Sequence, residues 1–591
     1  MKKITYRKLL RELVLSLLVF TGVMIASESI HRGNGYFNWK SEIWGDKAGY
    51  YIYLPATFYY HFNLDEFAPR IDERTGYGFY LDRQSGKMNT KYTCGVALLA
   101  SPFFVTAHYI SKIFHIPQDW GFSPLYHRMM NVAAVFYLVL GIWLLKRFLE
   151  NYMKELPAAL TVLFVLLGTN LLYYATTESL MSHVYSFFLF SLLLFSFKKF
   201  LTAGRKYPWL LVVSVAFGLI VLVRPFNLVI LPFVLLWDLD SKEAFKERIK
   251  LILKPRHLLT FLVLVFLVFL PQMLYWKYLT GSFFHYSYGK EGFTNWAHPR
   301  IAEVWFSTLN GLFLYNPLVL VFVAVIIWMI FLRMTNGILL LTIFLLISWI
   351  FSSWTNWYFG CSFGQRPFVE FYSFFALPFG LVLQRALDRK SLLLKMTFFA
   401  VVAGFCYYSI AIMSRFERCF FGSVWDWNQF AVVIGKSGIY PPYRDIKTFT
   451  NDFENQMLSP GAFVIDSVSR SGRYSMLVNP DPVRYCVYQR LFLDFGPKGP
   501  RQVTVGFHGM RPGPDPVTAL VTCTADLGEM NLFRKSEYVG SLINRPGEWC
   551  PVTVSFEIPE HVNRFAYLKV YIRNHGTSNY FIDDLKILFK N

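Results

Sequence analysis

Apolar residues come in long blocks over most of this chain and in short alternating runs near its end. Nearly uncharged stretches recur at Leu13–Ser27, Met129–Leu145, Leu156–Thr177, Ser179–Phe197, Tyr207–Val223, Pro225–Trp237, Leu258–Trp276, Leu312–Leu332, Gly337–Gln365, Pro367–Gln384 and Met396–Ser414. A helix needs about 20 mostly apolar residues to cross a hydrocarbon core about 30 Å thick. The pattern therefore predicts about eleven transmembrane helices, with Pro225–Trp237 falling short of that length. A further apolar stretch, Val96–Ile113, is expected to lie along the membrane surface or to dip in and out. Counting it as a span would carry Lys146, Arg147 and Lys154 to the opposite side. Past residue 440 the runs shorten: QVTVGFHGM, PVTVSFEI and FAYLKVYIR alternate with period two between Pro, Gly and Asn turns, the signature of antiparallel strands.

Composition agrees with a membrane protein: 54% of residues are apolar and 19% aromatic, against roughly 45–50% apolar in soluble domains. The 58 Lys and Arg exceed the 38 Asp and Glu, which suits either nucleic acid or basic loops at one membrane face. The loops decide for the second. With the N-terminus inside, the inner segments collect Lys2, Lys3, Arg7, Lys8 and Arg11, then Lys146, Arg147 and Lys154, and later the Lys242–Arg256 and Arg385–Lys395 clusters. The short outer loops hold only Arg224, Lys277, Lys290, Arg300 and Arg366. The positive-inside rule then places the N-terminus in the cytoplasm and the C-terminal region outside. No A-x-A site follows the first apolar run, so it reads as an uncleaved anchor. Of seven cysteines, Cys94, Cys361, Cys419, Cys486, Cys523 and Cys550 fall on the outer side, and one disulfide within the C-terminal region is expected there. The absence of any N-x-[ST] sequon fits a bacterial inner-membrane protein.

The fold class is thus a polytopic α-helical membrane protein with a C-terminal all-β domain. Its expected parts are a transmembrane domain at 1–414 with a first outer loop at 28–125, a connector at 415–440 that mixes charges with aromatic rings, and an outer β-sandwich at 441–591. Two motif-like stretches are set aside. GKSG at 435–438 lacks the first glycine of a phosphate loop, since position 430 is Phe430. DLD at 238–240 sits at the inner end of a run and reads as helix-end polarity.

The candidate chemistry lies at the outer ends of the spans. EIWGDKAGYYIYLPA, residues 42–56, sets Asp46 and Lys47 before an aromatic run suited to the membrane interface. Glu178 and His183 in TESLMSH, Arg224 in VRPFN, and Arg366 with Glu370 in GQRPFVEF fall at the same level, where an ionisable group needs a partner or a wet cavity. Arg366 and Glu370, four apart, are as readily paired on one helix face as used for binding. A carboxylate among such cations suits a reaction on a lipid-linked phosphate: the carboxylate takes a proton from an acceptor hydroxyl, and the cations neutralise the departing phosphate. This chemistry leaves room for a divalent metal without requiring one, and no metal ligands are assigned.

Over residues 1–414 the chain resembles the GT-C superfamily of membrane glycosyltransferases, being similar to the protein-O-mannosyltransferase and lipid A aminoarabinose-transferase group. It shares a basic N-terminus, one span, a long first outer loop with an early aspartate, an interfacial helix and many further spans. The resemblance implies a polyprenyl-phosphate-linked sugar donor, a glycan, lipid or protein acceptor, and Asp46 as catalytic base of an inverting transfer. It implies phosphate contacts, less directly, at Lys47, Lys91, Arg224 and Arg366, and the level of Glu178, His183 and Glu370 at the span ends adds them as candidate substrate contacts. The chain departs from the group in having Asp46–Lys47 where Asp–Glu is frequent. SGRYSMLV (471–478) and YFIDDLKILF (580–589) resemble the first and last strands of jelly-roll carbohydrate-binding modules. The rivals are a lipid or glycan transporter or flippase, and a non-catalytic glycan-binding envelope protein.

Overall fold

The computed structural model describes residues 6–416 apart from 33, 34, 39, 83, 84, 290 and 361, and residues 447–590 apart from 455–462, 496–498, 528, 529, 561 and 563–565, together with 427 and 430. Most of the expected connector, the GKSG stretch, Lys290, Cys361 and Cys419 lie outside the described residues. The chain divides into two units, Met1–Met413 and Ser414–Asn591.

The first unit is helical. Its main elements are α1 (Tyr6–His31), α2 (Asp46–Tyr51), α3 (Gly95–Ile113), α4 (Pro124–Leu149), α5 (Glu155–Gly168), α6 (Ser182–Thr202), α7 (Tyr207–Val223), α8 (Pro255–Thr280), α9 (Leu318–Phe331), α10 (Gly337–Ser352), α11 (Tyr372–Asp388) and α12 (Leu392–Arg415). Among the described residues, 7 helices are long and apolar enough to cross a membrane, and further apolar helices of 10–17 residues stand beside them. The protein is a polytopic helical membrane protein with a β unit. The apolar run Leu156–Thr177 is not one helix. It breaks at Thr169, whose backbone is extended, while Asn170 donates to the Phe363 carbonyl at 2.9 Å and accepts from the Tyr372 hydroxyl at 2.8 Å. Pro225–Trp237 likewise resolves into a 3₁₀ segment, Pro225–Ile230, and a short helix, Leu231–Leu236. The stretch expected to lie at the interface is the continuous helix α3, which packs along α4 and is itself among the seven.

Charged side chains knot one end of the bundle. Glu12, buried on α1, takes Lys146 at 3.1 Å and Arg147 at 3.5 Å from α4. Asp238 takes Lys198 at 2.6 Å and the Asn336 amide at 2.8 Å, and also accepts from the Tyr152 hydroxyl. The DLD stretch is therefore a structural tie.

At the other end the first loop folds onto the bundle through close backbone contacts. Gly45 adopts φ +57°, a conformation other residues avoid, and its N–H bonds the Thr75 carbonyl at 2.8 Å, turning the chain into α2. One turn on, a Cβ at Gly49 would lie 2.2 Å from the Gly78 carbonyl oxygen and 2.4 Å from the Tyr92 ring. Gly49→Ala is expected to lower the thermal stability of the detergent-solubilised protein by about 1–3 kcal/mol, the usual cost of overpacking. An unchanged melting temperature would contradict this packing.

The second unit is built from β1 (Thr448–Asn451), β2 (Phe463–Ile465), β3 (Ser475–Val478), β4 (Asp481–Leu491), β5 (Gln502–Met510), β6 (Ala519–Leu527), β7 (Met530–Tyr538), β8 (Cys550–Glu557), β9 (Tyr567–Asn574) and β10 (Tyr580–Lys590). One antiparallel sheet has the order β8-β5-β10-β3-β2, with β1 also on β10, and the other the order β4-β9-β6-β7. Their inner faces share a core in which Val503, Val505 and Phe507 of one sheet join Val521, Cys523 and Ile572 of the other. The expected disulfide is not formed among the described cysteines, as Cys486, Cys523 and Cys550 are all free. Cys523 points into the shared core, whereas the Cys486 thiol donates to the Tyr488 carbonyl at 3.3 Å.

Candidate functional site

Several chain breaks meet at the end of the bundle that carries the first loop. Arg224 follows α7 in extended conformation, because the residue before a proline avoids the helical region. Arg366 opens a 3₁₀ segment, Arg366–Phe371, again ahead of a proline. Asp46 opens α2, and Ser182 and His183 open α6. Each sets a polar side chain at the end of a helical segment.

These side chains meet around a cavity of about 360 Å³. Asp46, Lys91, His183, Arg224 and Arg366 all line it. Arg366 Nη2 donates to Asp46 Oδ2 at 3.1 Å. Lys91 Nζ lies 3.2 Å from Glu291 Oε1. Arg224 Nη1 donates to Glu370 Oε1 at 2.8 Å and to His183 Nδ1 at 3.0 Å, and His183 Nδ1 lies 3.2 Å from Glu370 Oε2. Arg366 and Glu370 do not pair with each other in these contacts; each is held by a different part of the chain.

Three residues expected to contact substrate stand behind the lining. Lys47 is fully buried and lies 3.5 Å from Glu178, itself 3% exposed. Glu370 is fully buried behind Arg224. Asp46 is different: its side chain keeps 34% of its exposure because it faces the cavity. Burial alone would raise the Asp46 carboxyl, but the Arg366 guanidinium and the Lys91 ammonium outweigh it and hold the group at about 2.

The remaining wall is aromatic. Tyr50 and Tyr92 lie 4.2 Å apart by ring centroids, Tyr288 meets Trp354 at 5.7 Å, and Phe293 meets Trp354 at 5.1 Å. Lys91 Nζ sits 5.5 Å from the Tyr92 centroid and 5.6 Å from that of Tyr288, within cation–π range. The segment HYSYGKE at 285–291 contributes His285, Tyr288 and Glu291 to the lining. Sequence reasoning missed it, having counted that loop only for its lysines; the signal was a carboxylate among aromatic residues at a span end.

The arrangement offers a carboxylate facing open space, cations within reach of the same space, and an apolar wall beside them. It suits an amphiphile with an anionic group and a hydroxylated part. Among the described residues, the grouping with metal-ligand spacing is Glu12, Glu150 and Glu155. It lies in the knot at the far end, where Lys8, Arg11, Lys146 and Arg147 already pair with it.

No protein-family model matches this chain, and no curated protein matches it. Among solved structures, the archaeal oligosaccharyltransferase from Archaeoglobus fulgidus, in complex with an inhibitory peptide and a dolichol-phosphate, is 14% identical over 68% of this chain and 55% of that one, with a TM-score of 0.39. A family 22 xylan-binding domain from Paenibacillus barcinonensis is 13% identical over 24% of this chain and 99% of that one, with a TM-score of 0.19. The N-terminal CBM22-1 and GH10 modules of a Clostridium thermocellum endo-1,4-β-D-xylanase, complexed with xylohexaose, are 12% identical over 25% of this chain and 27% of that one, with a TM-score of 0.18. These likenesses are too slight to bear on function, and the functional reading rests on the cavity itself.

Proposed function

We propose that this protein is a glycosyltransferase that moves a sugar from a polyprenyl-phosphate donor to an acceptor hydroxyl, on the outer face of a bacterial inner membrane. The observation that supports it is the meeting, in one cavity, of a carboxylate, several cations and an aromatic wall. The acceptor oxygen attacks the anomeric carbon from the face opposite the phosphate, the bond from that carbon to the phosphate oxygen breaks, and the configuration inverts. Asp46 receives the hydroxyl proton, and the polyprenyl phosphate leaves as an anion neutralised by the cavity's cations. A carboxylate held at about 2 is a weak base. It suffices because glycosyl transfer passes through an oxocarbenium-like state, in which the attacking hydroxyl becomes strongly acidic as its bond to carbon forms. Arg366 keeps the carboxylate ionised and aimed.

The pH dependence follows. A carboxyl lowered on folding stabilises the protein above its ordinary value of 3.8 and loses that contribution as pH falls through about 2. The rate of transfer should therefore show no acidic limb from Asp46 above about pH 4. A limb near pH 6 that shifts in Asp46→Glu would contradict this.

The transporter reading fits less well, because the cavity charges cluster at one end of the bundle instead of lining a path through it. A glycan-binding protein would depend on its C-terminal unit, whereas an enzyme truncated after about residue 440 should retain activity on a simple acceptor. The proposal is tested by mass spectrometry of membrane lipids from cells lacking the protein. A polyprenyl-phosphate sugar should accumulate, and an unchanged lipid-linked sugar profile would refute the donor class.

A further inference from the structure

The three cations at the cavity are not equivalent. Lys91 and Arg366 pair with Glu291 and Asp46, and both of those carboxylates line the cavity themselves. An anion reaching either cation also meets a carboxylate, and must either break the pair or accept the repulsion. Arg224 differs. Its carboxylate partner, Glu370, is fully buried and is not part of the lining. Both contacts, to Glu370 and to His183, come from Nη1. A guanidinium carries five N–H donors in a rigid fork, so neither contact uses the donors on Nε and Nη2, and the side chain that bears them lines the cavity. Two residues on, Phe226 packs against Phe351 at 5.1 Å, and both rings line the cavity. Arg224 and this pair of rings thus line the same cavity.

Resting on the donor class proposed above, we infer that Arg224 is the docking point for the donor's phosphate, with the first isoprenoid units against Phe226 and Phe351. Glu370 and His183 are positioning residues: they fix the guanidinium and do not bond the phosphate.

The test is binding to the purified full chain in detergent, followed by native mass spectrometry, with undecaprenyl phosphate, undecaprenol and inorganic phosphate as probes. Wild type should hold undecaprenyl phosphate at least about tenfold more tightly than undecaprenol, as a charge-assisted fork contact implies. Arg224→Gln should remove that preference, with Arg224→Lys intermediate. Glu370→Gln should weaken lipid phosphate binding by about tenfold, the order expected when an oriented charge loses its partner. In turnover it should raise donor KM with kcat within about threefold, whereas a purely structural loss would lower kcat along with the folded fraction. If Glu370→Gln does not fold, His183→Gln serves in its place, with an affinity between wild type and Arg224→Gln. Undiminished binding by Arg224→Gln, with loss in Arg366→Gln, would overturn the assignment and leave the donor class standing. Wild type that ignores the phosphate group on the lipid would remove both. Inorganic phosphate competing as well as the lipid would show a site for a free anion and overturn the lipid assignment.

Discussion

Asp46→Asn is expected to arrest sugar transfer while leaving a folded protein that still binds donor. The side chain has nearly the same shape, and its amide oxygen can still accept from Arg366, which donates to Asp46 at 3.1 Å. What disappears is the acceptor for the hydroxyl proton. Loss of a positioned base costs about 10²–10⁴ in rate, and the loss should appear in kcat, with donor KM little changed. Release of polyprenyl phosphate by purified protein, followed by mass spectrometry, measures it. Transfer at the wild-type rate by folded Asp46→Asn would take the central residue out of the scheme.

Breaking the Lys47–Glu178 pair is expected to give the largest stability loss. Both side chains are buried, so neither charge is solvated by bulk water, and removing one partner from such a pair costs about 3–5 kcal/mol. Lys47→Met and Glu178→Leu should each lower the melting temperature sharply. The double variant should recover most of the loss, since a buried pair exchanged for apolar groups of similar size is often neutral. This cycle also separates position from contact. Where the double variant is folded, donor binding should remain, because neither residue lines the cavity; loss of binding with recovered stability would make Lys47 a ligand contact after all.

Much of the fold was legible because hydropathy is a one-dimensional signal. Strand β5 was readable for the same reason: Val503, Val505 and Phe507 alternate into the core. Helix breaks were less visible. The interruption at Thr169 and Asn170 depends on hydrogen bonds to Phe363 and Tyr372, far along the chain, and no local pattern reports them. SGRYSMLV is strand only from Ser475, because the Ser471 backbone N–H bonds Asp583 at 3.1 Å and Gly472 turns with φ +59°.

In the site, sequence located the level of His183, Arg224 and Arg366 from the cost of placing ionisable groups near hydrocarbon, and that of Asp46 from the interfacial aromatic run after it. Partners were beyond it. The spacing of Arg366 and Glu370 suggested a helical pair, but this segment is 3₁₀, where residues three apart eclipse and residues four apart do not. Asp46 takes the arginine across 320 residues of chain instead. Lys47, beside the key carboxylate in sequence, turns away from the cavity because neighbouring helical residues do not share a face.

The most direct measurement is a cryo-electron-microscopy structure of Asp46→Asn, which should bind donor without consuming it, in complex with a polyprenyl-phosphate sugar. The sugar ring should lie against residue 46, with its phosphate on Arg224 and the lipid leaving along Phe226 and Phe351. A map with the cavity empty and the lipid seated elsewhere, or with residue 46 turned from the sugar, would contradict the account.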